Sequence, residues 1–230
     1  MRRFLRENGL ALFFLAIFLA AVAGQAIAGH NLYNEQELSH AKLLHQQPQL
    51  ISFGRYLTSS SFAQAITENW QSEYLQFALF ILTAIWLIQR GSTESKAPGK
   101  EGLESDKDQK VGDHADEDSP LWARVGGART WIYSQSLLIV MGLIFFASWF
   151  AQSVSGWSVY NQDAMQHKDK AISWIQYIGS SDFWQDSLQN WQSEFLAVGS
   201  MAIFTVYLRS RGSAQSKPVG ESHGTTAVEG

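Results

Sequence analysis

The chain has no cysteine among its 230 residues. This absence excludes disulfide bonds, thiolate zinc sites, cysteine-ligated iron–sulfur clusters and a cysteine nucleophile. The net charge of −4 excludes a generally basic nucleic-acid-binding surface. The sequence also lacks a glycine-rich phosphate loop, a dinucleotide-binding fingerprint, an HExxH motif and a nucleophile elbow. We therefore expect no enzymatic activity, no bound metal or cofactor and no nucleic-acid partner.

Charged residues make up only 17% of the chain and are absent from four apolar runs. The mean hydropathy of −0.12 resembles that of a soluble protein because these runs alternate with polar segments. The first run has about 20 residues, and as a helix of about 30 Å it matches the hydrocarbon thickness of a bilayer. We predict an all-α integral membrane protein, with the lipid bilayer as its partner and four transmembrane helices built on Gly9–Ala28, Tyr74–Ile88, Leu137–Ala151 and Phe195–Leu208.

Basic residues near the ends of these runs lie mainly on one side of the predicted membrane. The opposite side carries only Lys42, Arg55, Lys168 and Lys170. By the positive-inside rule, both termini and the central linker are placed in the cytoplasm. The loops His30–Phe62 and Trp157–Phe183 then face outward.

The first run has a second interpretation. Arg2, Arg3 and Arg6 precede an apolar core that is followed by Ala26-Ile27-Ala28, an order typical of a cleavable signal peptide. The same segment recurs in the middle of the chain, where no signal peptide can lie, and this recurrence favours a retained transmembrane helix.

The chain contains the same sequence unit twice. A glutamine, a glycine and a Tyr-Asn pair recur with identical spacing, first at Gln25, Gly29 and Tyr33-Asn34 and then at Gln152, Gly156 and Tyr160-Asn161. Five consecutive residues also recur, because Asn69–Glu73 and Asn190–Glu194 both read NWQSE. Two spans in each unit give both units the same orientation. We therefore predict two tandem, parallel-repeat helical hairpins with pseudo-two-fold symmetry.

The predicted organisation has four parts. Two-helix repeats occupy residues 1–92, with spans at about 7–29 and 66–89, and residues 131–212, with spans at about 134–156 and 187–209. Residues 93–130 form an acidic cytoplasmic linker that is rich in glycine and serine. Because it cannot bury apolar area, we predict that it is disordered, as is the cytoplasmic tail 213–230.

These paired units resemble an uncharacterised family of bacterial inner-membrane proteins. Each unit has a Q-x-x-x-G segment, an outer loop and an N-W-Q-S-E-[FY]-L entry into the next span, and the resemblance covers about residues 5–97 and 131–220. It implies a location in the bacterial inner membrane with both termini cytoplasmic. It transfers no mechanism, since the family has no assigned activity.

The NWQSE motif is predicted to lie at membrane depth. The second run has about 15 residues whereas a span takes about 20, so its helix must recruit residues from the motif. Glu73 and Glu194 must then face the bundle interior or a water-filled cavity. We predict a polar layer that is either a hydrogen-bonded structural lock or a site for a cation, a proton or a small hydrophilic ligand. Its members are Gln25, Asn69, Gln71, Glu73, Gln152, Asn190, Gln192 and Glu194.

The outer segments hold a second candidate site, formed by Tyr33, His40, Tyr160 and His167. Glu37 and His40 have a spacing used by metal ligands, but Ala164 replaces the glutamate in the second unit, so a surface or packing role is favoured over a metal site.

Local signals also predict where helices begin and end. Tyr33-Asn34 and Tyr160-Asn161 are expected to end their helices, and a separate outer helix is expected from Asn34 to Gln46. Ser61 and Ser181 are expected to cap the helices that enter the second and fourth spans.

Three functions remain open from the sequence. The first is a structural, accessory or stress-related role in the inner membrane. The second is ion or proton conduction, or transport, through Glu73 and Glu194. The third is outward-facing sensing or ligand binding. Four-helix bundles often form oligomers, so a homo-oligomer is also considered, although no interface can be read from the sequence.

Overall fold

Helices dominate the computed structural model, which describes residues 2–228. No strand occurs in this part of the chain, so the all-helical prediction is confirmed. Met1 and residues 229–230, which belong to the predicted first repeat and tail, lie outside the described residues. The helices are α1 (Arg2–Glu7), α2 (Gly9–Leu44), α3 (Phe53–Leu57), α4 (Ser60–Thr83), α5 (Leu121–Arg124), α6 (Gly127–Ser134), α7 (Ser136–Gln166), α8 (Trp174–Ile178) and α9 (Ser181–Tyr207).

The first apolar run and the predicted outer helix form one helix, α2. No proline interrupts it, and it ends where His45 takes a left-handed backbone conformation (φ 54°) and donates its N–H to the oxygen of Ala41. The expected helix end at Tyr33-Asn34 is therefore wrong, as is a separate helix that begins at Asn34. The expected end at Tyr160-Asn161 is also wrong, since that pair lies inside α7.

The asparagines do not end these helices because their side chains bond to the backbone of a following loop. An asparagine that bonds to its own local backbone competes with helix formation. Asn34 and Asn161 instead bond to Ile51 and Ile172, which lie 17 and 11 residues further along the chain. Each helix therefore keeps its own ladder of hydrogen bonds.

Serine side chains begin both α4 and α9, as the N-cap preference of serine predicts. Ser59 Oγ accepts from the N–H of Phe62 over 3.2 Å, and Ser180 Oγ accepts from the N–H of Phe183 over 3.3 Å. The predicted caps Ser61 and Ser181 lie inside the helices and are wrong, because the last residue with an extended backbone comes earlier, as at Ser180 (φ −82°, ψ 161°).

Two helices in the described residues, α2 and α7, are long and apolar enough to cross a membrane. Both α4 and α9 contain the polar NWQSE motif and further acidic side chains, which lower their hydropathy. By length and composition, α2 and α7 are candidate membrane spans. The four-span topology and the repeat symmetry stay predictions.

The chain divides into two units. The first comprises Met1–Ile66 and Val154–Ile172, and the second comprises Thr67–Ser153 and Ser173–Gly230. In the first unit, the loop that follows α2 is tied back to that helix through Asn34, and Tyr56 of α3 is buried.

The second unit has an aromatic core around Trp149 of α7. The centre of its ring system lies 5.5 Å from that of Phe145, 5.9 Å from that of Phe183 and 5.7 Å from that of Trp191. Its indole Nε1 donates to Ser187 Oγ over 3.3 Å, so a hydrogen bond joins α7 to α9 beside the stacked rings.

The segments after α4 and α9 form matching turns in the second unit. The backbone N–H of Gln89 donates to Ser95 Oγ over 3.0 Å, and that of Ser210 donates to Ser216 Oγ over 2.9 Å. A 3₁₀ turn at Gly112–His114 and the short helices α5 and α6 follow the first of these turns. Disorder of residues 93–130 and 213–230, together with the predicted domain boundaries, stays a prediction.

Candidate functional site

A glutamine at the end of α7 bridges two polar side chains of α2 in the first unit. Gln166 Nε2 donates to Glu37 Oε1 over 2.9 Å, and Gln166 Oε1 lies 2.8 Å from His40 Nδ1. Because an amide oxygen only accepts hydrogen bonds, His40 donates from Nδ1. In its neutral form, His40 then carries an acceptor at Nε2, and the bridge fixes the orientation of all three side chains.

The second histidine of the predicted outer site lies beside the first. The ring centroids of His40 and His167 are 5.8 Å apart, and the rings meet edge to face at 78°. His167 is exposed, and its Nδ1 lies 2.9 Å from the backbone oxygen of Asp163. Two histidines that are distant in sequence therefore form one ring pair, while a common binding site that contains them stays a prediction.

A cavity of about 960 Å³ opens beside this network in the first unit. Its wall contains Tyr33, Glu37, His40 and Gln166, so it includes two of the predicted outer-site residues. Tyr160 is half-buried on α7 and is not among the lining residues, and neither is His167. Most of the remaining wall is polar, with Gln46, Gln47, Gln49, Arg55, Thr58, Ser59, Ser60, Ser61 and Gln162.

The composition of this wall defines what it can bind. Neutral amides and hydroxyls supply both donors and acceptors of hydrogen bonds. One carboxylate, Glu37, and one guanidinium, Arg55, give the wall charges of both signs. Such a surface suits a small solute that is uncharged or zwitterionic and rich in hydrogen-bonding groups.

Paired hydrogen bonds hold the loop that forms one side of the cavity. Asn34 Nδ2 donates to the backbone oxygen of Ile51 over 3.1 Å, while the N–H of Ile51 donates to Asn34 Oδ1 over 3.0 Å. His30 Nε2 lies 2.8 Å from the same backbone oxygen. Because Ile51 lines the cavity, these bonds fix the shape of its wall.

The corresponding asparagine in α7 makes the same bonds. Asn161 Nδ2 donates to the backbone oxygen of Ile172 over 3.0 Å and accepts from its N–H over 2.9 Å. The indole Nε1 of Trp157 donates to that oxygen over 2.7 Å, in the place that His30 takes beside Ile51. The Tyr-Asn pairs therefore position loops through their asparagines.

Tyr56 of α3 packs against α2 at Gly29. Its side chain is buried, and burial raises the pKa of its phenol. The hydroxyl lies so close to Gly29 that a Cβ atom at this position would collide with it. The close approach of α3 to α2 thus requires glycine at residue 29.

Three members of the predicted polar layer, Gln25, Gln71 and Asn190, form hydrogen bonds with residues outside the predicted set. In the second unit, Trp191 Nε1 donates to Gln71 Oε1 over 2.7 Å, and Asn190 Nδ2 donates to Glu68 Oε1 over 2.8 Å. Gln71 is completely buried, so the bond from Trp191 joins α4 to α9 away from the surface. In the first unit, Gln25 Nε2 donates to the backbone oxygen of Ala65 over 3.4 Å.

Other members of the layer differ in exposure. Gln152 is buried, and Glu194 is half-buried, where it interacts with Ser72 and with the charge of Glu73. By contrast, Asn69, Glu73 and Gln192 are exposed on the protein surface. The eight residues do not behave as one uniformly buried set.

The comparisons with known proteins place the chain in a family. The family described as a domain of unknown function (DUF6766) matches residues 1–228. The chain belongs to this family. No curated protein and no solved structure matches the chain. This DUF6766 chain is therefore confirmed as a member of a family without an assigned activity, while the repeated motif as a family signature and the bacterial origin stay predictions.

Several site residues of this DUF6766 protein were missed from the sequence. Gln166 and Arg55 reach the cavity only through the fold, and no spacing in the sequence relates them to His40. Trp191 could have been predicted from the sequence, since a tryptophan inside a repeated polar motif has one N–H that needs a partner once the residue is buried. Glu68 directly precedes the motif and could have been found as another acidic residue near the predicted membrane surface.

Proposed function

We propose that this DUF6766 protein is an integral protein of the bacterial inner membrane that binds a small polar solute on its outer side. The solute occupies the cavity beside Glu37, His40 and Gln166 and is uncharged or zwitterionic. Both termini are cytoplasmic, and the protein acts by binding and not as an enzyme. The observation that carries this function is the bridge from Gln166 to Glu37 and His40 at the wall of a large polar cavity.

The surface of α2 supports insertion into a membrane. Large apolar side chains, including Phe13, Phe14 and Ile17, are each more than half exposed along this helix. Monomeric soluble proteins rarely expose apolar patches larger than a few hundred Å². A bilayer would cover these side chains, and α2 and α7 have the length and hydropathy to cross it.

Matching local contacts support the tandem-hairpin topology with four spans. Asn34 and Asn161 make the same paired bonds to a following loop, and Ser59 and Ser180 begin α4 and α9 in the same way. We therefore keep α4 and α9 as the second and fourth spans, with their NWQSE motifs near the outer surface.

The chemistry of the cavity supports solute binding over conduction. Bound solutes need donors and acceptors that are already oriented, because ordering them on binding weakens affinity. The hydrogen bonds of Gln166 hold the side chains of Glu37 and His40 in fixed orientations. Conduction through Glu73 and Glu194 is less favoured, since Glu73 is exposed on the protein surface.

A structural role is the second candidate, and the bond from Trp191 to Gln71 favours it. Hydrogen bonds between helices in a membrane stabilise association by about 0.6–2 kcal/mol each. The bonds Asn190–Glu68 and Trp191–Gln71 would lock α4 against α9, and the polar layer would then serve stability.

Solute binding is tested with the full chain in lipid nanodiscs. Thermal unfolding and calorimetric titration are followed with sorbitol, trehalose and glycine as neutral and zwitterionic probes. We expect at least one probe to raise the melting temperature of the wild type. Gln166→Leu should weaken its binding by about tenfold through loss of the bridge. Gln36→Leu, an exposed change outside the cavity wall on α2, the helix of Glu37 and His40, should leave binding intact.

Two results would overturn the proposed function. One is that none of the three probes binds the wild type, and the other is that Gln166→Leu binds as tightly as Gln36→Leu. Topology is tested separately with reporter fusions after residues 50 and 110. An outward reporter at residue 110 would overturn the orientation.

A further inference from the structure

A small aromatic cavity lies in the second unit, and none of its described lining residues is a predicted site residue. Its volume is about 270 Å³, below the range of about 300–1,000 Å³ that holds drug-sized ligands. Six of its eight lining residues are aromatic, with Ser153 and Ile178 as the others. The six are Phe146, Trp149, Phe150, Trp174, Phe183 and Trp184.

The aromatic rings stand in crossed orientations. Trp149 and Phe183 are nearly parallel, at 23°, while Trp184 meets them at 72° and 76°. Trp174 likewise meets Phe150 at 72°. Walls with crossed orientations surround a compact group from several directions, whereas a single stack of rings would offer a flat slot.

The polar edges of two tryptophans are already occupied. Trp149 Nε1 donates to Ser187 Oγ, and Trp174 Nε1 donates to Ser153 Oγ over 3.1 Å. The hydroxyl of Ser153 itself donates to the backbone oxygen of Phe150 over 2.7 Å. A sugar or an anion would therefore find few free donors here, and the cavity offers mainly aromatic surface.

The charges near this aromatic surface are negative. Asp182 directly precedes Phe183, and Asp186 follows Trp184 by two residues on α9. Both carboxylates act on Tyr177, whose ring lies 5.7 Å from that of Phe183. Among the described residues, the cavity lining contains no lysine or arginine. Aromatic faces carry negative electrostatic potential, so rings and carboxylates together favour a cation.

We propose that this cavity binds a quaternary ammonium group. A quaternary ammonium has no N–H to donate and spreads its charge over methyl groups, which matches a site of crossed aromatic rings with few free hydrogen-bonding atoms. The group can belong to a free organic cation or to the head group of a lipid. The site is separate from the polar cavity of the first unit and does not depend on the function proposed there.

The direct test compares choline with 3,3-dimethyl-1-butanol, its neutral isostere. Tryptophan fluorescence of the full chain in nanodiscs without choline lipids is titrated with each compound at constant ionic strength. Choline should bind at least about tenfold more tightly than the neutral alcohol. Equal affinity would show an apolar cavity without preference for a cation and would overturn the proposal.

Variants locate the binding. Trp184 is 39% exposed, so Trp184→Leu should preserve folding while it removes one wall, and choline affinity should fall by about tenfold. Trp184→Phe should give a smaller loss, because tryptophan attracts cations best. The matched control is Trp131→Leu, since Trp131 is 64% exposed and lies outside the cavity. A loss in Trp131→Leu equal to that in Trp184→Leu would overturn the proposal.

A separate experiment distinguishes a lipid head group from a free organic cation as the source of the ammonium group. The wild type is reconstituted in nanodiscs of phosphatidylcholine or of phosphatidylglycerol and then titrated with choline. If a lipid head group occupies the site, phosphatidylcholine should compete and weaken choline binding several-fold. If free cations are its ligands, both nanodiscs should give the same affinity. Absence of choline binding in phosphatidylglycerol nanodiscs would overturn the proposal.

Discussion

Trp191 donates its indole N–H to the side-chain oxygen of Gln71, which is completely buried. The two residues come from the two copies of the NWQSE motif, and they take different positions within it. The two copies of the motif therefore contribute different side chains to the contact between α4 and α9. In α4 its glutamine is buried as an acceptor, whereas in α9 its tryptophan is the donor and its glutamine, Gln192, is exposed.

This difference predicts unequal effects of the same substitution. Gln71→Ala should lower the free energy of unfolding by about 1–3 kcal/mol, because it leaves the N–H of Trp191 without its acceptor. Gln192→Ala, at the equivalent position of the second motif, should change it by less than about 0.5 kcal/mol. Denaturant unfolding in detergent micelles measures both. Equal losses would mean that the two motifs are used in the same way.

The contact between Gly29 and Tyr56 predicts a steric effect in the first unit. Gly29→Ala should destabilise the protein by about 1–3 kcal/mol, since the added methyl group collides with the Tyr56 hydroxyl. Gly24→Ala meets no atom within 4 Å and should be neutral or stabilising, because alanine favours helix over glycine.

Removal of the hydroxyl tests the cause of this effect. In a Tyr56→Phe background, Gly29→Ala should cost clearly less stability than it does in the wild type. A double-mutant cycle from thermal unfolding gives the coupling between the two positions. A coupling of zero would show that α3 does not approach α2 as the structure has it.

The sequence predicted the long elements better than the contacts between them. Apolar runs without proline predicted α2 and α7, and serines near the start of α4 and α9 predicted where those helices begin to within one or two residues. The role of Asn34 could not be predicted, because the choice between ending a helix and bonding to Ile51 depends on where the loop returns. The same holds for the bridge from Gln166 to Glu37 and His40, which joins segments far apart in the chain.

Which residues of the polar layer are buried could not be predicted from the sequence either. A helical period relates Asn69 to Glu73, but it does not say which face of α4 meets α9. On α4, the residues that bond to α9 include Glu68 and Gln71. Gln71 is completely buried and lies two residues from both Asn69 and Glu73, so the buried face lies away from the one that carries Glu73.

Tyr177 predicts a loss of stability at alkaline pH. Burial raises its pKa to about 12, and the charges of Asp186, Asp182 and Glu68 contribute. An unfolded tyrosine titrates near pH 10, so the unfolded state releases its proton first as the pH rises. The stability that neutral Tyr177 contributes is complete below about pH 10 and is lost progressively as the pH approaches about 12.

Two variants isolate this titration. Tyr177→Phe should flatten the decline of unfolding free energy between about pH 10 and pH 12. Asp182→Asn should move the tyrosinate absorbance change of Tyr177 to lower pH, since it removes one of the negative charges that act on this phenol. An unchanged pH profile in Tyr177→Phe would assign the alkaline loss of stability to other groups.

Lys217 predicts order in a tail whose composition suggests disorder. Its side chain is 1% exposed, and its Nζ donates to the backbone oxygens of Ser222, His223 and Thr225 over 3.0–3.1 Å. An ammonium group that bonds to three carbonyls closes the tail into a turn, and it cannot be replaced by an apolar side chain without loss of these bonds.

Lys217→Met should therefore speed amide hydrogen exchange and proteolysis within residues 218–226, whereas Lys100→Met, a change at an exposed lysine, should not. If residues 218–226 already exchange at the rate of an unstructured peptide in the wild type, the tail is disordered, and the composition of the sequence predicts its state better than the contacts of Lys217 do.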